Sequence, residues 1–493
     1  MSTRLVATLN LSDDAVAAGA LRDPPSGADY IELRLDTLPE ASTARVTTLL
    51  GLPRSIPVIA TCRPGGSAGD DAARLALLAA AGEAGADVLD VDDALLDSLP
   101  ASVPGDRIAS CHISRFVPRL ESLARRVAGH GTRYAKLAVP ANTPVQLAEL
   151  LDLQDEARDG FAIVPTGRLS EAGRVMIAGR GAALGYGAVA AGHEGHPDQP
   201  TVARLHEVFN LGLVGPGTRF FAVAGTPLGH SLSPGWHNTV FRGVGLDARM
   251  VTLDVERLAD VLAMADALRL DGMAVTHPHK HDALRLAASA LPGAATTGAA
   301  NTLMRTPAGW QARNTDWKAA CDLLPRLLRG WRRKHKDQTP RVLLLGSGGA
   351  ARALAVALYG EDIELAIWSR RLSNARDLVD SLVEVLPAHA VPEPGHFPAD
   401  LLINATPVGM RGCDLGEMSM TASNFRVGAL AVDLAYGAEE SPFRDAATEA
   451  EAQMTSGEEF FCLQARRQSE LFTGGPLPEG MRDEAARRCG AVS

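Results

Sequence analysis

The sequence predicts an α/β protein in two parts: an N-terminal (β/α)8 TIM barrel, then a two-domain unit that includes a Rossmann-like nucleotide-binding fold. Three observations carry this. Residues 1 to about 212 alternate short apolar runs with amphipathic stretches. The segment Gly212-Leu-Val-Gly-Pro-Gly-Thr218 is dense in chain-punctuating residues and reads as a linker. Downstream, VLLLGSGGAARA (342–353) has the form of a strand, a glycine turn and a helix start. At 493 residues the chain is too long for one core and suits several domains.

The strand candidates of the first part are Leu5–Leu9, Tyr30–Leu35, Pro57–Cys62, Asp87–Asp92, Arg107–His112, Arg133–Val139, Phe161–Val164 and Ala182–Val189. Eight such runs with intervening amphipathic segments suggest a closed barrel, with an open doubly wound sheet as the alternative. A second α/β pattern begins at Arg219 and breaks at the basic stretch Arg326–Lys336, RLLRGWRRKHK, read as a solvated helix end and loop.

Composition narrows the classes. Hydrophobic content of 46% with 22% charged residues is ordinary for a globular protein, and 4% aromatics implies cores of small aliphatics. A formal charge of -10 argues against nucleic acid as a partner. No apolar run approaches the roughly 20 residues of a membrane span. The start, MSTRLVATLNLSDD, reaches Asp13 and Asp14 too soon to hold a secretory signal. Six cysteines (62, 111, 321, 413, 462 and 489) form no CxxC pair, which favours a reducing cytoplasm. Cys62 and Cys111 sit beside candidate site residues, where a reactive thiol is a minor alternative.

Polar residues in the first part cluster at strand ends, which converge on one mouth in a barrel. Glu32 and Arg34 alternate on the second strand, with Asp36 just past it; Arg63 ends the third, Asp92 the fourth and His112 the fifth. Lys136 lies inside the sixth, Arg174 follows the seventh, and Tyr186 lies on the eighth. A lysine in an apolar cavity among cations loses proton affinity and becomes a nucleophilic amine. Arg34, Arg63 and Arg174 suit a carboxylate ligand, and His112, oriented by Asp92, suits proton transfer. An imine on a ketone acidifies the neighbouring carbon and permits loss of a β-hydroxyl without metal. Taken singly, Glu32 and Arg34 fit a structural ion pair and His112 a satisfied core histidine. Lys136 between Ala135 and Leu137 is harder to explain so, because unpaired buried lysines are rare.

The motifs ELRLD (32–36), TCR (61–63), SCH (110–112), YAKLAVP (134–140) and GRVMIAGRGAALGYG (173–187) resemble type I 3-dehydroquinate dehydratase across nearly all of residues 1–212. The resemblance implies a Schiff base on Lys136 and proton removal by His112. Arg174 and Gln199 would grip the substrate carboxylate and hydroxyls, and Glu32, Arg34 and Arg63 would line the pocket. Asp92 stands where the family has Glu as the histidine's partner, and Gly195 where a serine is expected.

The second part presents Ser231 and Ser233 on the loop of FAVAGTPLGHSLSPGWHN (221–238), a pattern that by itself also fits a helix cap. VTHPHK (275–280), ANTL (300–303) and NTD (314–316) follow; Lys280 and Asp316 are an ammonium and a carboxylate suited to share a proton beside a carbinol. Histidines 277, 279 and 281 read as loop residues rather than a metal site. Gly346, Gly348 and Gly349 shape a pyrophosphate turn. The next strand ends in Ser369-Arg370-Arg371, where two guanidiniums suit a ribose 2′-phosphate, hence NADP; an exposed basic turn is the plainer reading.

In order along the chain, HSLSP, Lys280, ANTL, NTD, GSGGAARA, SR, NATPVGM (404–410), DLAY (433–436) and Gln464 resemble shikimate dehydrogenase over about 219–475. The resemblance implies a catalytic pair, Lys280 and Asp316. Ser231, Ser233, Thr276, Asn301, Tyr436 and Gln464 would bind substrate, and Gly346, Gly348, Gly349, Ala350, Ser369, Arg370, Arg371 and Thr406 would bind NADP(H), with no metal. Ala274 replaces an Asn, Ala319 or Ala320 a Gly, and Gly437 follows Tyr436 where the family tends to Asn-Pro. The implied domains are a dehydratase barrel at 1–213, a substrate domain at 219–325 completed by a helix at 456–475, and an NADP domain at 340–455. The whole reads as a bifunctional enzyme of aromatic biosynthesis. A catabolic quinate or shikimate dehydrogenase and a repressor-like relative with weakened catalysis remain as alternatives.

Overall fold

The structure, a computed structural model, describes residues 2–117, 120–157, 159–229, 231–384, 386–409, 418–436 and 441–491, with only the backbone of Asp14. It divides into two compact units: the chain up to Phe220 together with Asp247–Leu270, and Phe221–Leu246 together with the chain from Asp271 onward.

The first unit contains strands β1 (Arg4–Asn10), β2 (Tyr30–Arg34), β3 (Val58–Thr61), β4 (Val88–Asp92), β5 (Asp106–His112), β6 (Tyr134–Pro140), β7 (Phe161–Thr166) and β8 (Leu184–Ala188). Helices α1 (Asp14–Arg22), α2 (Thr43–Leu50), α3 (Asp71–Glu83), α4 (Leu120–Gly129), α5 (Pro144–Asp155) and α6 (Ser170–Ala178) lie between them. The strands pair in parallel in the order β7-β6-β5-β4-β3-β2-β1-β8. The Ala183 N–H, just before β8, donates to the Phe161 carbonyl of β7 at 3.0 Å, bringing the two ends of the sheet together. This is the closed barrel, and the open-sheet alternative is excluded. Strands buried on both faces read as continuous apolar runs, which is why their bounds fall within two residues of expectation.

Strands β9 (Arg219–Gly225), β10 (Ala248–Asp254), β11 (Leu270–Val275), β12 (Ser289–Ala290), β13 (Thr302–Thr306) and β14 (Gly309–Arg313) form a second sheet. It is mixed: β11–β13 and β13–β14 are antiparallel, β12–β14 parallel. Its helices are α7 (Ser233–Gly243), α8 (Leu258–Ala263), α9 (Lys280–Leu286), α10 (Pro292–Thr297) and α11 (Thr315–Lys334). Residues 326–336 are the expected helix end, but most of the run is helical and not wholly solvated: Leu323, Leu324, Leu328 and Trp331 bury one face, and the helix continues to Lys334.

The third sheet comprises β15 (Arg341–Leu345), β16 (Glu364–Trp368), β17 (Ala388–Ala390), β18 (Ala399–Asn404), β19 (Phe425–Asp433) and β20 (Gln453–Thr455), all parallel, in the order β17-β16-β15-β18-β19-β20. Counted from its own first strand this is 3-2-1-4-5-6, the doubly wound dinucleotide-binding order, whose switch point lies between β15 and β18. Helices α12 (Gly349–Ala357), α13 (Leu372–Leu382) and α14 (Pro442–Glu449) accompany it, followed by α15 (Gly457–Thr473) and α16 (Met481–Arg488). Helix α16 lies beyond the stretch covered by the resemblance. It packs on α7 at two glycines: a Cβ on Gly235 would sit 3.1 Å from the Cys489 backbone, and one on Gly243 2.2 Å from Met481.

Helix α6, which carries Arg174, approaches β7 closely because Gly173 faces Pro165; a Cβ there would lie 2.7 Å from the Pro165 ring. Gly173→Ala is expected to destabilise the first unit by about 1–3 kcal/mol through overpacking, seen as a lowered first thermal transition. An unchanged melting profile would show that α6 can shift freely.

Candidate active sites

In the barrel, Lys136 sits mid-strand on β6, where every residue is buried. Its Nζ makes a close ion pair with Asp90, lies 3.6 Å from Glu32 Oε1, and stands 4.3 Å above the Tyr186 ring centroid. Glu32 is held in turn by the Thr8 and Thr61 hydroxyls at 2.7 and 2.9 Å. Burial lowers the Lys136 pKa; Asp90 opposes this, Arg63 adds to it, and the net shift is downward. Burial alone would raise Glu32, but Lys136, Arg63 and Arg34 outweigh it and bring it to about 2. A carboxylate that stays ionised beside an amine that sheds its proton readily is the combination nucleophilic catalysis needs.

His112 ends β5 with its ring exposed at the mouth. Desolvation, then Arg63, Lys136, Arg34 and Arg74, place its pKa well below the usual histidine value. Because the ring reaches solvent, the direction rests on the four cations, and the imidazole is neutral at physiological pH. Asp92 does not orient it: the Asp92 carboxylate accepts from Arg74 at 2.9 Å, and among the described residues no side chain hydrogen-bonds the His112 ring. Asp90, two residues earlier on the same strand face, is the acid that contacts Lys136, and the sequence reading did not name it.

The three arginines differ in state. Arg34 chelates Asp36 at 3.1 and 2.8 Å. Arg63 lies 3.8 Å from Asp90 and leaves Nη1 buried without a hydrogen-bond partner. Arg174, on α6 rather than in a loop, is buried with only neutral partners: Ser170 Oγ at 3.1 Å and the Tyr186 carbonyl at 2.7 Å. Burial lowers its pKa to about 10, and no carboxylate among the described residues pairs with it. A desolvated guanidinium in that state is a receptor for an incoming carboxylate. Asp90 Oδ1 and the Tyr186 hydroxyl are also buried without partners, so three orphaned polar atoms surround Lys136. Gln199 accepts the Gly195 N–H at 2.6 Å and donates to Thr8 at 3.0 Å. At Gly195 a Cβ would lie 2.8 Å from Arg34 Nη1, so the guanidinium fills the space that a serine there would need.

In the second unit, Lys280 opens α9 and its Nζ donates to Asp316 Oδ2 at 2.6 Å. Asp316 lies in the first turn of α11, capped by Asn314, whose Oδ1 accepts the Trp317 N–H at 2.9 Å. Asn301 and Gln464 converge beside it, their side-chain amides 3.4 Å apart. Ser233 begins α7 and its N–H donates to Ser231 Oγ at 3.3 Å. The Thr276 N–H donates to the Ala224 carbonyl at 3.0 Å. Tyr436 packs on Phe461 at 5.9 Å; burial, then Cys489, Glu458 and Asp316, push its hydroxyl up to about 12. Lys280 and His281 are helical and His279 caps the helix, which corrects the expected loop; among the described residues no group of side chains could hold a metal.

At the switch point, Gly346 has φ +115°, and a Cβ there would lie 2.9 Å from the Ala405 carbonyl, so only glycine fits. Gly348 caps α12, where a Cβ would meet nothing within 4 Å; Gly349 and Ala350 form the first turn, whose N–H groups are unclaimed by the helix. Ser347 and Ser369 hydroxyls are 3.0 Å apart, and Arg370 and Arg371 are exposed where β16 ends. Thr406 is pinned by Asn404 Oδ1, which accepts from its N–H at 3.0 Å and its hydroxyl at 2.7 Å; Asn404 in turn donates to Asp433 at 2.8 Å. Met410 and Gly437 lie outside the described residues. An open glycine turn on a helix N-terminus, with two guanidiniums after the second strand, fits a phosphorylated dinucleotide.

A lysine-centred barrel joined to a dinucleotide-binding reductase is thus the class that fold and sites define. The model of type I 3-dehydroquinase matches residues 6–214, and that of the shikimate dehydrogenase substrate binding domain matches 223–303. The chloroplastic bifunctional 3-dehydroquinate dehydratase/shikimate dehydrogenase of Arabidopsis thaliana is 27% identical over 92% of this chain and 79% of its own length. The shikimate dehydrogenase (NADP(+)) of Anaeromyxobacter sp. (strain K) is 37% identical over 53% of this chain and 93% of its own. The crystal structure of shikimate dehydrogenase from Aquifex aeolicus is 26% identical, with TM-score 0.48, over 55% of this chain and 98% of that one. Through its second part the chain belongs to the shikimate dehydrogenase family, and its first part carries the type I 3-dehydroquinase match.

His237 on α7 is fully buried, and burial pushes its pKa down to about 3. The unfolded chain takes up a proton near pH 6.5 that the folded chain refuses, so stability is lost as pH falls from about 6.5 toward 3. The slope reaches about 1.4 kcal/mol per pH unit. His237→Asn is expected to flatten the pH dependence of the second unit's melting temperature between pH 6.5 and 5; an unchanged slope would contradict it.

Proposed function

We infer that the chain converts 3-dehydroquinate to 3-dehydroshikimate in its barrel and reduces that product to shikimate in its second unit. The observation that carries this is the buried Lys136, its proton affinity lowered by burial, among an unpaired guanidinium and three orphaned polar atoms. The dehydratase occupies 1–213; the reductase comprises a substrate domain at 219–325, completed by 456–475, and an NADP domain at 340–455.

In the barrel, the substrate carboxylate pairs with Arg174, and Gln199, Glu32, Arg34 and Arg63 face its ring. The Lys136 ammonium passes a proton to His112, its amine adds to the ketone, and that proton returns to the carbinol oxygen, which leaves as water; an iminium remains. Neutral His112 takes the C2 proton, and the electron pair moves toward the iminium. The β-hydroxyl then leaves as water, carrying the proton returned by His112. Hydrolysis frees the amine and the enone acid. Asp90 and Glu32, beside Lys136 Nζ, offset the positive charge of the iminium.

In the second unit, Ser231, Ser233, Thr276, Asn301, Tyr436 and Gln464 bind the enone acid. Gly346, Gly348, Gly349, Ala350, Ser369 and Thr406 would hold the dinucleotide phosphates, and Arg370 and Arg371 the 2′-phosphate. NADPH, when bound there, supplies hydride to the carbonyl carbon. Lys280, hydrogen-bonded to Asp316, holds the proton at the carbonyl oxygen as negative charge develops on it. The guanidinium pair favours NADP over NAD, and so biosynthetic reduction over a catabolic NAD-linked role. The five described cysteines are free, in keeping with a cytoplasmic setting.

Purified chain with NADPH should convert 3-dehydroquinate to shikimate. Lys136→Ala should stop at the starting compound and lose the borohydride-trapped adduct seen by intact mass. Lys280→Ala should accumulate the enone acid with reduction slowed about 10²–10⁴-fold. An adduct on another residue would refute the barrel mechanism. The Arg370→Ser, Arg371→Ser double variant should raise the KM for NADPH by roughly tenfold or more while leaving NADH use unchanged; equal effects on both cofactors would contradict the 2′-phosphate assignment.

A further inference from the structure

A buried hydrogen-bond chain runs from α7 to Asn301 and Gln464, and its direction is dictated by two backbone groups. The Asn301 carbonyl can only accept, and Gln468 faces it at 3.1 Å, so that atom of Gln468 is its NH2. The same nitrogen donates to Thr302 Oγ1 at 2.8 Å. Gln468 Oε1 therefore faces His237 Nε2, at 3.1 Å, and that ring nitrogen carries the proton. His237 Nδ1 must then accept, and it does so from Ser469 Oγ at 2.9 Å; Ser469 accepts in turn from Trp236 Nε1 at 3.0 Å.

The second anchor is the Thr315 N–H, which can only donate. It lies 2.7 Å from the Asn301 amide, so the atom it meets is Oδ1. Thr302 has accepted from Gln468, and its own hydrogen goes to the same Oδ1 at 2.9 Å. With Oδ1 engaged by two donors, the Asn301 NH2 faces Thr315 Oγ1 at 2.8 Å and Gln464 Oε1 at 3.4 Å. Thr315 passes its hydrogen to Gln464 Oε1 at 3.2 Å. Gln464 then has its oxygen occupied and its NH2 free. Trp236, His237, Asn301, Thr302, Thr315, Gln468 and Ser469 are all buried, so water cannot reverse the pattern.

We propose that His237, Gln468 and Thr302 are positioning residues of the reductase: they fix the Asn301 amide, which holds Gln464 Oε1 and so turns the Gln464 NH2 toward the substrate. The site thereby selects a ligand with an acceptor oxygen facing Gln464. The chain also ties α7, which starts at Ser233, to the first turn of α11, which holds Asp316. This rests on the reductase reading above.

The test uses the full-length chain, whose dehydratase activity is an internal control. Thr302→Val removes the relay hydroxyl at constant shape, and Thr302→Ser restores it; Gln468→Met removes the amide. For Thr302→Val and Gln468→Met, the KM for 3-dehydroshikimate should rise roughly tenfold or more, with the KM for NADPH and the dehydratase rate unchanged. Thr302→Ser should recover most of the loss. Wild-type KM in Thr302→Val overturns the proposal, as does a loss in Thr302→Val that Thr302→Ser fails to restore. If Gln468→Met does not fold, the Thr302 pair decides alone. A wild-type chain that never reduces 3-dehydroshikimate would sink the reductase reading instead, a distinct outcome.

Discussion

The ion cluster at the centre of the barrel is the constraint on which the first unit depends. Taking an ammonium and two carboxylates out of water costs several kcal/mol per ion unless partners sit in good geometry. Lys136, Asp90 and Glu32 meet that condition because three strands point their side chains to one axis, and Arg63, just past β3, borders them. The balance is deliberately unequal. The carboxylates hold the lysine in place, while burial and the neighbouring guanidinium hold its proton loosely. An amine fully satisfied by its counter-ions would be inert, and one without them would not stay buried.

The second unit answers a different demand with the same economy of groups. Among the described candidate substrate residues, Lys280 and Asp316 form the charged pair, and Ser231, Ser233, Thr276, Asn301, Tyr436 and Gln464 are neutral donors and acceptors. Neutral amides are ambiguous, since each can face either way. Backbone groups of Asn301 and Thr315 remove that ambiguity and propagate the choice through buried side chains. In the nucleotide half, Gly346 and the Asn404–Asp433 pairing do comparable work. One lets the turn pass close to Ala405, and the other pins the Thr406 loop across the switch point.

Much of this was legible in the sequence, and the failures have physical causes. Parallel strands buried on both faces left apolar runs that located all eight barrel strands. Lys136 stood out because a charge in such a run demands an explanation. Asp90 went unnamed beside Asp92 because both lie on the same strand face, two residues apart. Which of them reaches Lys136 depends on depth along a tilted barrel strand, and no single strand encodes that. Arg34 filling the space beside Gly195 was equally hidden, since it is a property of a strand end meeting a distant loop. His237 and Gln468 were passed over because a polar residue on a helix looks the same in sequence whether it faces water or a buried partner. Helix α16 left a signal in the small residues Gly235 and Gly243 of α7, which only a packed neighbour explains.

The account turns on the proton affinity of one amine. Titration of selectively 13C-labelled lysine side chains by NMR, with Lys136 assigned by its Lys136→Arg variant, measures it directly. The predicted result is a resonance that titrates below the usual lysine value of about 10.4. A Lys136 resonance that titrates at or above that value would contradict the mechanism for the barrel.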